Sequence, residues 1–425
     1  MRHSTRTLPA LAAGLAALGL VAVSGAAAHA GVADVEGTAG AQSILGQPEA
    51  PRPAFYEPPA DIPGTPGQII RSADAPLLLD PLKLSASTVS ATRVMYASTD
   101  RLGRPIAVTG TIFVPKTAWT GPGKRPVISY AAGTQGMADR CAPSRQMGEG
   151  FEYEGVFAAG LIAAGYALAM TDYQGLGTDG SHTYMNREVQ GRAVLDMARA
   201  AKSIPGAGLA DSPVGITGYS QGGGAAAAAA ELTSTYAPDL DVKGVVAGAV
   251  PADLGAVGAN LDGSLFAGFL GYALIGLAAG YDIDMTPYLS EAGTTTLKGI
   301  ENTCVLEVTK YGGTKSSTLT ADGRPLTAYF DEEPFKSVLA DNKIGNRKPA
   351  PPVLVTHSLA DDVIPYSVGR AMAKSWCEKG ANVRFRPILA PTHIGGALPT
   401  STDALLFFKA RFSGIPQTSN CWALA

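Results

Sequence analysis

The stretch "VGITGYSQGGGAAAAAAEL", Val214 to Leu232, sets a serine between glycines, behind a short apolar run and ahead of an alanine-rich segment. The run 214–217 predicts a strand and 222–232 predicts a helix. Between them Gly218-Tyr219-Ser220-Gln221-Gly222 fits Gly-x-Ser-x-Gly. Taken alone that pattern is common, and Ser220 is equally a turn residue or a helix cap. With a strand before it and a helix after it, the serine is held out at the carboxyl edge of a sheet, where it can act as a nucleophile. The glycines remove side chains that would strike neighbouring backbone in so tight a turn. The helix amino terminus and the Gln221 N–H then face any oxyanion formed at Ser220.

Outward from this stretch the chain alternates. "RPVISYAAG", "YALAMTDYQG", "PVGITGYS", "VKGVVAGAVPA", "PPVLVTHS" and "NVRFRPIL" are short apolar runs bounded by Gly, Pro or Asp, the signature of buried parallel strands. Between the second and third, Val189, Ala193, Met197 and Ala200 fall on one helical face. Upstream, "TRVMYAST" and "PIAVTGTIFVP" flank Asp100–Arg104 and predict an antiparallel hairpin. The fold class is α/β, a mostly parallel sheet with helices on both faces. The rhythm stops between 253 and 348. "LFAGFLGYALIGLAAGYDI" there is too apolar for a surface loop and predicts a helical cap or lid. The core then comprises 77–252 and 349–425. Gly268 and Gly271 are candidate positions at which a bulky residue would narrow a pocket under the cap.

A serine nucleophile needs a base, and the base needs a carboxylate. Beyond the first thirty residues the histidines are His182, His357 and His393. Behind an elbow of this kind the chain order is Ser, acid, His. His182 precedes the serine. His357 precedes the acidic candidates. His393, in "LAPTHIGG", satisfies the order. The acid should leave a strand end before it, and "VLVTHSLADDVIPYS" offers Asp361 and Asp362. Adjacent residues point differently, so one serves and the other is a turn cap or a solvated charge. A second oxyanion donor is expected from a backbone N–H in the loop after "RPVIS", among Gly133, Thr134, Gln135 and Gly136.

The 425 residues suit one large α/β domain with an insertion. Apolar residues make up 46% and charged residues 16%. The formal charge of −3 gives no reason to expect nucleic acid. Residues 1–30 read as a signal peptide: Arg2 and Arg6, an apolar run from Leu8 to Val23, then Ala28-His29-Ala30. Its removal takes the charge to −5. Residues 31–76, rich in Pro, Gly and Ala, predict an irregular arm. Export makes two disulfides the default for Cys141, Cys304, Cys377 and Cys421, with three pairings open, and their spacing argues against zinc.

The ordered set of motifs resembles the secretory lipase family, typified by yeast lipase A and with many actinobacterial members. It comprises "FYEPP", "PGQIIR", "GTQGMADRCAPS", "TDYQGLGT", "GYSQGG", "DDVIPY" and "PTHIGG", and spans Phe55 to the C-terminus. The resemblance implies an α/β-hydrolase core with a helical cap inserted before the acid. It implies Asp361 as that acid, four residues before Pro365, and the disulfides Cys141–Cys304 and Cys377–Cys421. The chain departs from many members at Ala132, where they carry His. The expectation is a secreted, monomeric serine esterase of the lipase type. Ser220, His393 and Asp361 would act on a lipid or other ester, with no cofactor or metal, at a lipid–water interface. The alternatives are a carboxylesterase or acyltransferase on smaller or non-lipid esters, and a non-catalytic surface binding protein.

Overall fold

The computed structural model describes residues 52–75, 87–150 and 152–424. The expected signal peptide and the first part of the arm lie outside these residues. Among the described residues a nine-stranded sheet runs in the order β1-β2-β3-β5-β4-β6-β7-β8-β9. Its strands are β1 Ile69–Asp74, β2 Val89–Thr99, β3 Pro105–Pro115, β4 Val127–Ala131, β5 Ala167–Thr171, β6 Val214–Tyr219, β7 Val242–Gly248, β8 Val353–Ala360 and β9 Val383–Pro391. β1, β2, β3 and β5 pair antiparallel in turn. Every pairing from β5 through β4 to β9 is parallel.

The six apolar runs form β4 to β9, and β4 and β5 are buried at every residue. Neither of these two alternates, because helices cover both faces, whereas the edge strand β9 alternates buried and exposed residues. Helix Arg187–Ser203 buries Val189, Ala193, Met197 and Ala200, the face its period marks. One correction concerns the arm. Where described it is not irregular throughout: Ile69–Asp74 joins the sheet as an edge strand, and Tyr56 is buried with its hydroxyl 2.9 Å from Ser144 Oγ.

β4 lies between β5 and β6, so the chain leaves β4 to one side and returns on the other. Such a switch point opens a crevice at the carboxyl ends of the strands. Ala131 pairs with Gly218 there, which sets the loop after β4 beside the turn after β6.

The segment between β7 and β8 is helical, with Leu254–Leu261, Ala267–Tyr281, Glu291–Glu301 and Phe335–Asn342. Tyr272, Ile275, Leu297, Ile300 and Val308 form a core that also takes in Met137 and Tyr184, from the loops after β4 and β5. The insertion is thus packed onto the loops at the carboxyl edge of the sheet. Disulfide Cys141–Cys304 joins it to the chain after β4, and Cys377–Cys421 ties the C-terminus to helix Tyr366–Glu378. Both are the pairings implied by the resemblance.

Candidate active site

Ser220 stands between β6 and helix Gln221–Tyr236 with φ 60° and ψ −121°. A non-glycine residue held there is strained by about 1–3 kcal/mol and persists because its surroundings over-determine it. Ser220 N donates to Gly248 O at 3.0 Å and Gly224 N donates to Ser220 O at 2.9 Å. The glycines are needed sterically. A Cβ on Gly222 would lie 2.0 Å from Ala131 O, and one on Gly218 2.3 Å from Gly222 O. The side chain of Ser220 makes no capping bond to its helix, so the cap reading does not hold.

His393 follows β9, on the short helix Thr392–Gly395. Its Nδ1 lies 3.0 Å and 2.8 Å from the two carboxylate oxygens of Asp361. Nδ1 therefore carries the donated proton, and Nε2 is left as the basic atom. Nε2 has no hydrogen-bond partner among the described residues, Ser220 included. Tyr219, the residue before the serine, binds the ring from the other side. The ring centroids are 5.1 Å apart, and the Tyr219 hydroxyl donates to His393 O.

Asp361 also accepts from Val363 N at 3.0 Å and Ile364 N at 2.8 Å, and its side chain is wholly buried. Burial alone would raise its pKa. Hydrogen bonds from His357, His393 and Ile364 N outweigh it and hold the carboxyl well below the usual carboxylate range. Its neighbour does separate work: Asp362 Oδ1 accepts from the backbone N–H of His393 at 2.8 Å. His357, the other candidate histidine, is buried beneath the turn, with Nε2 2.9 Å from Ile364 O and 3.4 Å from Asp361 Oδ2.

The four loop positions after β4 divide. Gly133 drops out as an oxyanion donor because its N–H is bonded to Glu154 Oε2 at 2.7 Å. Gln135 and Gly136 face the insertion: Gln135 O accepts from Val305 N at 2.7 Å, and Gly136 bridges Cys304. Thr134 lines a cavity together with Ser220. Gln221, next to Ser220, opens its helix with its backbone N–H uncommitted to the helix ladder.

The cavity at Ser220 has a volume of about 50 Å³, and its lining includes Leu254, Gly258, Leu270 and Ala273 of the insertion. The same four residues border a second cavity of about 50 Å³, lined entirely by apolar residues. Ser220 and the Thr134–Tyr184 hydroxyl pair form the polar end of this apolar space. Gly268 and Gly271 do not line it. A Cβ there would meet Val308 Cγ2 and Ile300 Cδ1, each at 2.5 Å.

Glu154 and Tyr184 were not singled out from sequence, and His182 was weighed only as the base and set aside because it precedes the serine. Glu154 takes the Gly133 N–H, His182 Nε2 lies 3.0 Å from Gln221 Nε2, and Tyr184 OH lies 2.6 Å from Thr134 Oγ1. "TDYQGLGT", set apart by its motif but given no role, begins the loop that carries the last two.

The secretory lipase family model matches residues 143–420. The chain is 31% identical to a protein of Mycobacterium tuberculosis named probable inactive lipase MT1628, over 86% of this chain and 83% of the relative. It is 27% identical to Lipase 10 of Candida albicans, over 89% and 84%. Candida antarctica lipase A in its closed state superposes with a TM-score of 0.75 at 24% identity, covering 86% of this chain and 87% of that one.

Proposed function

The chain belongs to the secretory lipase family, and from that premise we propose that it is a secreted serine hydrolase of carboxylic esters, a lipase acting on triacylglycerols. The observation that carries this reading is the setting of Ser220. It is a strained serine in a cavity lined by apolar residues of the insertion, and the residue before it, Tyr219, packs its ring against His393, whose Nδ1 is bonded to Asp361. An acyl chain enters along this apolar lining with its ester carbonyl at Ser220 Oγ.

The steps fall to these residues as follows. Oγ attacks the carbonyl carbon and His393 Nε2 takes its proton. Asp361 keeps Nδ1 protonated and stabilises the imidazolium. The carbonyl oxygen becomes an oxyanion between the N–H groups of Gln221 and Thr134. Collapse expels the alcohol with the proton from Nε2. Water enters by the same route and releases the fatty acid.

A fluorophosphonate probe tests the assignment. Wild type should be labelled at Ser220 and should hydrolyse esters. Ser220→Ala and His393→Ala should each lose several orders of magnitude in kcat, because the triad acts as a unit. The silent reading, which the name of the mycobacterial relative raises, requires no labelling and no turnover. Retention of more than about a tenth of wild-type turnover in either variant would refute these roles.

A further inference from the structure

We propose that Tyr184 and His182, on the loop after β5, are positioning residues of the oxyanion hole: Tyr184 aims Thr134 and His182 aims Gln221. The inference rests on the serine-hydrolase reading above. An oxyanion hole works by preorganisation, since donors fixed before the reaction need no reordering as charge develops. Here the two donors come from unconnected turns, one after β4 and one after β6. Something must fix their separation, and the loop after β5 holds a side chain from each.

Tyr184 OH lies 2.6 Å from Thr134 Oγ1, and both residues are buried. His182 Nδ1 lies 2.9 Å from Gln174 O and donates to it, so the neutral ring accepts from Gln221 Nε2 at 3.0 Å. Burial pushes the His182 pKa down to about 4, against the opposing bond to Gln174 O, so the ring stays an acceptor at neutral pH. The two residues form one unit. The His182 ring stacks on Tyr173 at 6.0 Å and meets Tyr184 edge-on at 5.9 Å. Tyr173 OH donates to Ala132 O at 2.8 Å, one peptide before the Gly133–Thr134 turn. The insertion clamps the unit from above. Helix Ala267–Tyr281 passes so close that a Cβ on Gly276 would lie 2.3 Å from Tyr184 N. A buried Tyr and His with satisfied bonds are ordinary core residues elsewhere. In this loop both bonds end on the proposed donors, Thr134, which lines the cavity with Ser220, and Gln221, which follows it in the chain.

Two double-mutant cycles test this on the full chain: Tyr184→Phe with Thr134→Val, and His182→Phe with Gln221→Met. Each single change should lower kcat by about 10-fold with KM within twofold, because only transition-state stabilisation is touched. Each double variant should be no worse than its worse single, because both members break the same bond. Should Tyr184→Phe fail to fold, Thr134→Val breaks the same bond from its other end. An unchanged kcat, a loss carried wholly by KM, or losses that multiply in the doubles would each overturn the assignment. An active wild type labelled at Ser220, together with such a result, overturns this inference alone. A wild type neither labelled nor active overturns the hydrolase reading and this inference with it.

Discussion

Asp362 Oδ1 accepts a hydrogen bond from the backbone N–H of His393 at 2.8 Å, while the adjacent Asp361 holds the ring of the same histidine. One aspartate fixes the tautomer, and the other fixes where the loop presents the ring. The two changes should therefore differ in kind. Asp361→Asn can donate to Nδ1 and turn the imidazole to the wrong tautomer, for a loss of roughly 10³–10⁴ in kcat. Asp362→Asn keeps an oxygen that can accept from the His393 N–H, and kcat should stay within about 10-fold of wild type. Steady-state kinetics on one ester separate them. If the Asp362 change is the more damaging, the roles are assigned to the wrong members of the pair.

The disulfides should also separate. Cys141–Cys304 closes a segment of 163 residues and Cys377–Cys421 one of 44. The loop-entropy relation assigns them about 5 and about 4 kcal/mol of stabilisation. Both Ser/Ser variants should show a lower Tm. Cys141→Ser/Cys304→Ser should in addition lower kcat, because Cys304 is bridged to Gly136, two residues from Thr134. Cys377→Ser/Cys421→Ser should leave kcat of the folded enzyme unchanged. Equal kinetic effects would show that the first bridge does not hold the oxyanion loop.

Glu154 gives a pH dependence. Burial raises its pKa, against opposing bonds from Gly133 N and Tyr130, and the neighbouring Glu152 is raised with it. The folded state thus holds extra protons above the ordinary carboxylate range, and stability falls as pH rises from there towards the raised values. Glu154→Gln keeps an acceptor for the Gly133 N–H, removes the titration of Glu154 and relieves Glu152 of its neighbour's charge. The Tm of the variant minus that of wild type should grow more positive by several degrees between pH 5 and pH 8. A difference that is flat with pH would show that Glu154 does not titrate in this range.

The parts legible in the sequence are those that chain order controls. Ser220 follows a strand and opens a helix, and His393 is the histidine behind the acidic pair. The sheet was legible because buried parallel strands are continuous apolar runs. Asp361 came from the motif resemblance, since nothing in "ADDV" tells which carboxylate turns inward. The oxyanion side was not legible. Whether the Gly133 N–H is free depends on Glu154, 21 residues further on and reached only by folding. β1 hid in a Pro- and Gly-rich arm because a short edge strand needs little apolar sequence. The facing of helix Ala267–Tyr281 was hidden for the opposite reason. It is apolar on every side, so its period marks no face.

That facing decides the last prediction. Gly268 and Gly271 lie against Val308 and Ile300, and a bulky residue there would push the insertion apart. Ala273, on the same helix, borders both the cavity at Ser220 and the apolar cavity beyond it. A phenylalanine at Ala273 stands at their junction and shortens the space open to an acyl chain. Each methylene buried in the intact cavity contributes roughly 0.8 kcal/mol, so long chains bind with a cumulative advantage. Wild type should accordingly show a higher kcat/KM for octanoate than for acetate esters. Ala273→Phe should lower that ratio at least tenfold with acetate turnover retained. Gly268→Phe should instead lower Tm and leave the ratio of the folded fraction near that of wild type. A wild-type ratio well below one would remove the lipase assignment in favour of small esters. An unchanged ratio in Ala273→Phe would mean that the acyl chain takes another path from Ser220.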